Sequence, residues 1–402
     1  MITGRQGTCD SARKKKGLLP ATYIAERFSE CHSFVGSTMH PLLTISEDTT
    51  LFPWAMRTPW PGAVGVVAVG IALLVGWMTG HTSAGAIAAG SAFTVGFAVF
   101  HEALASVLLS MMVTTLGLAS ATLAGSLAAP WTPVVLVVIF VAAVNYGLLA
   151  GLGPTEGWIG QQSAVFVIVA SYFAQGPRYA VGRAEMVLAG GGLQILVFSI
   201  FYLLKRQPRE PGTPRTHERI PPRVRELLQS VPEELSPHSE TAPYIARLAL
   251  VLLTSTTIYR CLHVRNGYWI PMTALLVMKP QWGHTLSRGI ARMLGTVAGA
   301  GIALGIARLL PFPAWVLPTL VLVSAWGCYA LQAVNYAVFS IFVTLYIVFL
   351  FRFGGFSETQ AAHIRLVNTV VGGSLALLID AVWKAATEGH RTFRAGNADS
   401  VQ

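Results

Sequence analysis

The sequence predicts an all-α fold, a polytopic membrane helix bundle of about 12 transmembrane helices built as two six-helix repeats. Three observations predict it. Apolar residues make up 53% of the chain and charged residues only 11%, whereas soluble domains carry about 25% charged residues. Twelve apolar runs, most of them near the roughly 20 residues that cross a bilayer, fall six on each side of a polar linker. The two sets also share matches in the same order. Ala143-Val144-Asn145-Tyr146 recurs as Ala333-Val334-Asn335-Tyr336, and Arg183 followed by Gly190-Gly191 recurs as Arg365 followed by Gly372-Gly373.

Taken in order, residues 1–60 read as a cytoplasmic N-terminal tail. It carries the basic run Arg13 to Lys16 and no apolar stretch long enough for a signal-peptide core. Residues 61–205 form the first membrane repeat, with runs near 62–79, 83–100, 103–128, 132–150, 160–174 and 182–204. Residues 206–243, rich in Pro, Arg and Glu, are a cytoplasmic linker. The second repeat, 244–385, has runs near 244–262, 268–279, 287–310, 314–331, 334–351 and 363–383, and 386–402 is a cytoplasmic C-terminal tail. The run 268–279 is short, has Pro271 near its start and stops at Lys279-Pro280. Such a segment is either a broken or re-entrant helix beside a permeation path or a short tilted span.

Charge sets the expected orientation. Of the 28 Lys and Arg residues, 21 fall on the side that holds both termini and the linker, which places that side in the cytoplasm. The remaining seven are Arg178, Arg183, Arg260, Arg265, Arg308, Arg352 and Arg365. Singly, arginines at span ends snorkel to headgroups; as a set with Arg288 and Arg292 they line a path that attracts anions. The sequence pI of 9.7 does not point to nucleic acid, because the basic residues are scattered over helix ends and tails. The four cysteines form no CxxC or Cys/His cluster, so neither a metal nor a disulfide framework is expected. No phosphate loop, HExxH or GxSxG motif occurs, so no enzyme activity and no cofactor are expected.

The candidate site lies in the stretch 268–308. Arg288 and Arg292 are four apart and share a helix face. Gly295 and Gly299 continue that stripe, where small residues let another helix approach closely; Gly372 and Gly373 are assigned the same packing role. Acidic groups inside lipid are costly unless paired or facing water, which makes Glu102, Glu185 and Asp380 candidates for proton coupling.

The run Tyr268-Trp269-Ile270-Pro271, then Lys279-Pro280, then Arg288-x-x-x-Arg292-x-x-Gly295-Thr296-x-x-Gly299, resembles the signature of the fusaric acid resistance protein-like (FUSC) family, most strongly over 244–384. That group includes bacterial aromatic acid exporters and is distantly related to plant aluminium-activated malate transporters. The resemblance implies a bacterial inner-membrane exporter or channel for small organic anions such as aromatic carboxylic acids. Tyr268, Trp269, Lys279, Arg288, Arg292, Asn335 and Arg365 are the expected substrate-binding residues. Membrane lipid, a second copy in a homodimer and a periplasmic adaptor protein are the partners it implies. The alternative is a non-transporting scaffold whose arginines bind anionic lipid.

Overall fold

A computed structural model describes residues 48–100, 107–173, 175–204, 239, 241–309, 316–353 and 358–399. Among them run twelve α-helices and no strand. The first six are α1 (Pro59–Met78), α2 (Thr82–Gly96), α3 (Val107–Ala128), α4 (Thr132–Leu152), α5 (Pro154–Ala170) and α6 (Pro177–Leu204). The second six are α7 (Thr241–Cys261), α8 (Trp269–Val277), α9 (Trp282–Leu309), α10 (Val316–Leu331), α11 (Tyr336–Phe353) and α12 (Glu358–Asp399). Among the described residues nine helical segments are long and apolar enough to cross a bilayer. The other three are α5, α8 and α10, with 17, 9 and 16 residues, and α2 reaches span length only with the 3-10 turn that continues it to Phe100.

Proline marks several starts. It stands in the first turn of α1, α4 and α5, where its fixed φ suits the helix and its missing N–H leaves nothing unpaired. This explains why α5 begins at Pro154 rather than near 160. The polar stretch after Gly153 forms its first turn instead of a loop.

The two halves pack alike. In the first, α6 lies against α1, α2 and α3, while α5 lies against α3 and α4; in the second, α12 lies against α7, α8 and α9, while α11 lies against α9 and α10. The contacts between halves are reciprocal too: α4 packs on α7 as α10 packs on α1, and α5 meets α8 as α11 meets α2. One backbone contact shows the duplication residue by residue. A Cβ on Gly190 would run into the carbonyl oxygen of Ala88 in α2, and a Cβ on Gly372 would run into that of Ile270 in α8. Arg183 and Arg365, Gly190 and Gly372, and Ala88 and Ile270 are all separated by the same offset in sequence.

The other sequence match is coincidental. Asn145 is exposed inside α4, whereas Asn335 precedes the first turn of α11, so the two are not equivalent. The expected N-terminal tail is also shorter than 1–60. Thr58 donates through its N–H to the Ala330 oxygen at 2.9 Å and through Oγ1 to the Tyr329 oxygen at 2.9 Å. Asn335 Nδ2 donates to the Leu51 oxygen at 3.0 Å. Residues 48–58 are thus tied across the end of α10 and the start of α11. At the other terminus α12 continues unbroken past 386 to Asp399. Residues 1–47 and the linker residues 206–238 lie outside the described residues.

Gly295 and Gly299 bring α9 onto α11: added Cβ atoms would lie 2.5 Å from the Ala337 oxygen and 2.8 Å from the Ile341 oxygen. Gly373 is different, since its Cβ would meet only Met293 at an ordinary 3.5 Å. Gly372→Ala is therefore expected to destabilise the protein by about 1–3 kcal/mol through overpacking. Gly373→Ala should leave stability unchanged or raise it by up to about 1 kcal/mol through helix propensity. Thermal unfolding of the two variants in detergent compares them directly; equal midpoints would contradict the difference in packing.

Candidate anion-binding site

The site is built around the start of α8. After Cys261 the chain turns through His263 and Asn266, both at φ 50°, a left-handed conformation that Asn and His adopt more readily than most residues. The turn is pinned from both halves. Asn266 N–H donates to Tyr172 Oη at 2.9 Å, and Asn368 Nδ2 of α12 donates to the Asn266 oxygen at 3.1 Å. Tyr268 and Trp269 follow, buried and 5.0 Å apart between ring centroids. Tyr268 also lies 5.0 Å from Tyr172, and Trp269 meets Phe351 edge-on at 6.1 Å. Only nine residues later α8 ends at Met278 in extended backbone, so the run is a broken helix rather than a full span.

Two arginines are buried beside it. Arg365 of α12 is 1% exposed and Arg292 of α9 is 2% exposed. The Arg365 guanidinium carbon lies 4.4 Å over the Trp269 ring, and its Nε donates to Thr344 Oγ1 at 3.3 Å. Its Nη1 and Nη2 have no hydrogen-bond partner, nor does Nε of Arg292. Among the described residues neither arginine has a carboxylate within 4 Å. The two lie within electrostatic range of each other and of buried Cys328. A desolvated cation–π contact contributes about 2 kcal/mol, whereas a buried charge left unpaired is worth several kcal/mol against folding. Trp269 therefore offsets part of the deficit and leaves the N–H edges of Arg365 for an anion.

Arg288 shares the predicted stripe with Arg292 but has a different environment. It is half-buried, sits 4.1 Å over the Tyr336 ring, and has its Nε 3.9 Å from Asp48 Oδ2. Ser287 Oγ donates to the same oxygen at 2.5 Å. Lys279, half-buried in the turn before α9, exchanges hydrogen bonds with Thr285 Oγ1, at 3.1 Å from its N–H and 3.2 Å to its carbonyl. Burial, with the nearby Arg288 charge, pushes its amine down to about 7. One end of the bundle thus carries an opened cluster of Lys279, Arg288 and Asp48; Arg292 lies one turn further along α9, and Arg365 sits at the other end of α8, over Trp269.

Other expected residues have different work. Asn335 is the cap of α11: its Oδ1 accepts from Ala337 N–H at 2.9 Å and Val338 N–H at 3.1 Å. With Nδ2 on Leu51, its amide is engaged in holding structure and not in meeting substrate. Asp380, fully buried, is paired with Arg247 Nη1, and Arg247 Nη2 donates to the Pro280 oxygen at 2.7 Å. This counter-charge accounts for one carboxylate oxygen, Oδ1, while Oδ2 is buried without a hydrogen-bond partner. Glu185 is exposed on the outer face of α6, and Glu102 lies outside the described residues. Arg260 is no free cation at a pore mouth. It donates to Thr132 Oγ1 at 3.0 Å, the Ser171 oxygen at 3.2 Å and the Ala129 oxygen at 2.8 Å, closing the ends of α3 and α5. Among the described residues no group of His, Cys, Asp and Glu could hold a metal ion.

Asp48, Arg247, Thr344, Cys328 and Tyr336 are the neighbours that sequence reasoning did not pick out. Only Arg247 had a signal, because a buried Asp380 demands a cation from a helix facing it.

Residues 252–379, which contain this site, match the family described as fusaric acid resistance protein-like. The chain is 27% identical over 151 residues to an uncharacterised protein ORF2 of Neisseria gonorrhoeae, covering 37% of this chain and 35% of that protein. It is 30% identical over 150 residues to the uncharacterised protein YhfK of Escherichia coli K12, covering 37% of this chain and 21% of YhfK. It is 31% identical over 147 residues to the inner membrane protein YccS of the same organism, covering 35% of this chain and 19% of YccS. The matches span about a third or less of the length of these relatives. No solved structure matches the chain.

The Arg247–Asp380 pair yields a test of its structural assignment. Either Arg247→Met or Asp380→Leu alone leaves one buried charge and is expected to destabilise the protein by about 3–5 kcal/mol, whereas the double variant recovers most of that loss. Thermal unfolding of the three variants reads this out. A double variant no more stable than the singles would sink the pairing.

Proposed function

Taking as premise that its second half is a fusaric acid resistance protein-like membrane domain, we propose that the chain is an inner-membrane transporter of small organic anions, aromatic carboxylates among them. The observation that carries this reading is the Arg292–Arg365 pair, two buried guanidinium groups with unpartnered N–H groups and, among the described residues, no carboxylate beside them. A guanidinium does not give up its proton in proteins, so such a pair calls for an anion. A carboxylate supplies both the charge and two acceptor oxygens in matching geometry.

The walls support an aromatic substrate. Trp269 presents its ring face to Arg365 and Tyr336 presents its own to Arg288, with Tyr268 stacked beside Trp269, surfaces against which a planar arene packs favourably. In the orientation set by the basic residues, Lys279 and Arg288 stand at the cytoplasmic mouth and Tyr268 stands toward the outer side. The inner membrane as location is supported by the apolar helices and by the likeness to YccS. We read the chain as a carrier or channel without enzymatic activity. The scaffold alternative needs arginines that reach lipid headgroups, and both members of the pair are enclosed by protein.

Arg292→Gln and Arg365→Gln are each expected to lower flux of labelled benzoate into proteoliposomes by about tenfold or more, the loss of a charge-assisted hydrogen bond. Flux is normalised to folded protein. Arg365→Lys should recover little, because a point charge cannot reproduce the guanidinium's planar stacking on Trp269. Wild-type flux in the double Gln variant would overturn the reading.

A further inference from the structure

We infer that Arg183 forms a second anion subsite, contributed by the first half and joined through Tyr268 to the Arg292–Arg365 pair. The inference rests on the transport reading above and deepens it from one site to two. Arg183 is the counterpart of Arg365 under the internal duplication, each seven residues before the glycine, Gly190 or Gly372, that seats its helix. It is only 8% exposed, its Nε has no hydrogen-bond partner, and among the described residues no carboxylate lies within 4 Å. Its neighbour Glu185 cannot neutralise it, since two residues along a helix point to different faces and Glu185 is exposed.

The surroundings fit a bound anion rather than a structural cation. The Arg183 guanidinium lies 4.3 Å over the Phe173 ring and 5.6 Å from the Tyr179 ring. Those contacts occupy its face, Tyr179 also comes within hydrogen-bonding reach of the guanidinium, and the buried Nε–H is left without a partner, a donor from which a carboxylate oxygen can accept. Trp269 is replaced by Ile87 at the corresponding position of α2, so the first half recruits its aromatic partner from the segment after α5. That segment reaches the other half: Phe173 lies 6.1 Å and Tyr172 5.0 Å from Tyr268. Tyr268 in turn stands within electrostatic range of both Arg183 and Arg365.

The two subsites are unequal in charge. The second half offers two buried guanidinium groups and the first half one, because among its described residues the other basic side chain, Arg178, is exposed. The single-cation subsite suits a monocarboxylate and holds it less tightly. Permeation requires sites that are several and individually weak enough to release, and a weaker outer subsite provides that step.

The test is calorimetric titration of the purified full-length protein with benzoate, in parallel with proteoliposome flux. Wild type should bind two equivalents. Arg183→Gln should bind one, with the tighter equivalent unchanged and flux reduced about tenfold; Arg365→Gln should lose the tighter one instead. Two equivalents and wild-type flux in Arg183→Gln would overturn the inference. A wild type that binds one equivalent, lost in Arg365→Gln and kept in Arg183→Gln, would overturn it while leaving the transport reading intact. A wild type that binds none would overturn both. If Arg183→Gln does not fold, Arg183→Lys carries the test: the weaker equivalent should lose about tenfold in affinity with the tighter one unmoved, and unchanged affinities for both would count against the subsite.

Discussion

A charge removed from water and left without a counter-charge is the constraint on which this structure turns. Arg365 and Arg292 hold two such charges inside a helix bundle. Everything that keeps them there is short-range and mutually dependent. Trp269 lies beneath Arg365 because α8 starts where the Asn266 turn is tied to Tyr172 and Asn368. Helix α12 can bring Arg365 to that ring because Gly372 lets its backbone touch the Ile270 carbonyl. Arg292 enters the same space because Gly295 and Gly299 seat α9 on α11. Small residues here serve to position charge, beyond the close packing usual for membrane helices.

Duplication supplies the frame, and departures from it supply the chemistry. The reciprocal contacts of α4 with α7 and of α10 with α1 give both halves the same scaffold. On that scaffold the aromatic under the arginine comes from α8 in one half and from the segment after α5 in the other. Charge is likewise uneven, with one buried arginine facing two. A homodimer of one such half would have identical environments about its axis, whereas a fused chain is free to make them differ.

The helices were legible because a bilayer imposes length and apolarity on each span, and the twelve apolar runs fall within the twelve helices or overlap them closely. The Arg183 and Arg365 repeat was legible because its glycines are needed for a backbone contact. Ala143 to Tyr146 misled because four residues recur by chance and nothing structural fixed them. Asp380 and Asn335 looked like functional polar groups, and their partners, Arg247 and Leu51, lie 133 and 284 residues away. Pairing of that kind is decided by tertiary packing. Asp48 was out of reach for the same reason: only the folded segment 48–58 shows a carboxylate arriving at Arg288 from residues that read as a tail.

Helix α8 has an electrical consequence. Its nine residues extend about 14 Å, less than half the roughly 30 Å of a hydrocarbon core. Where aqueous crevices reach both of its ends, the membrane voltage falls across that shorter distance, and the local field is about doubled. A charge moving past Trp269 and Arg365 would then traverse most of the applied potential, worth about 2.3 kcal/mol per elementary charge per 100 mV, while the ends of the path stay nearly equipotential with their baths. Any anion permeating as proposed would respond to voltage in this narrow zone and to concentration elsewhere.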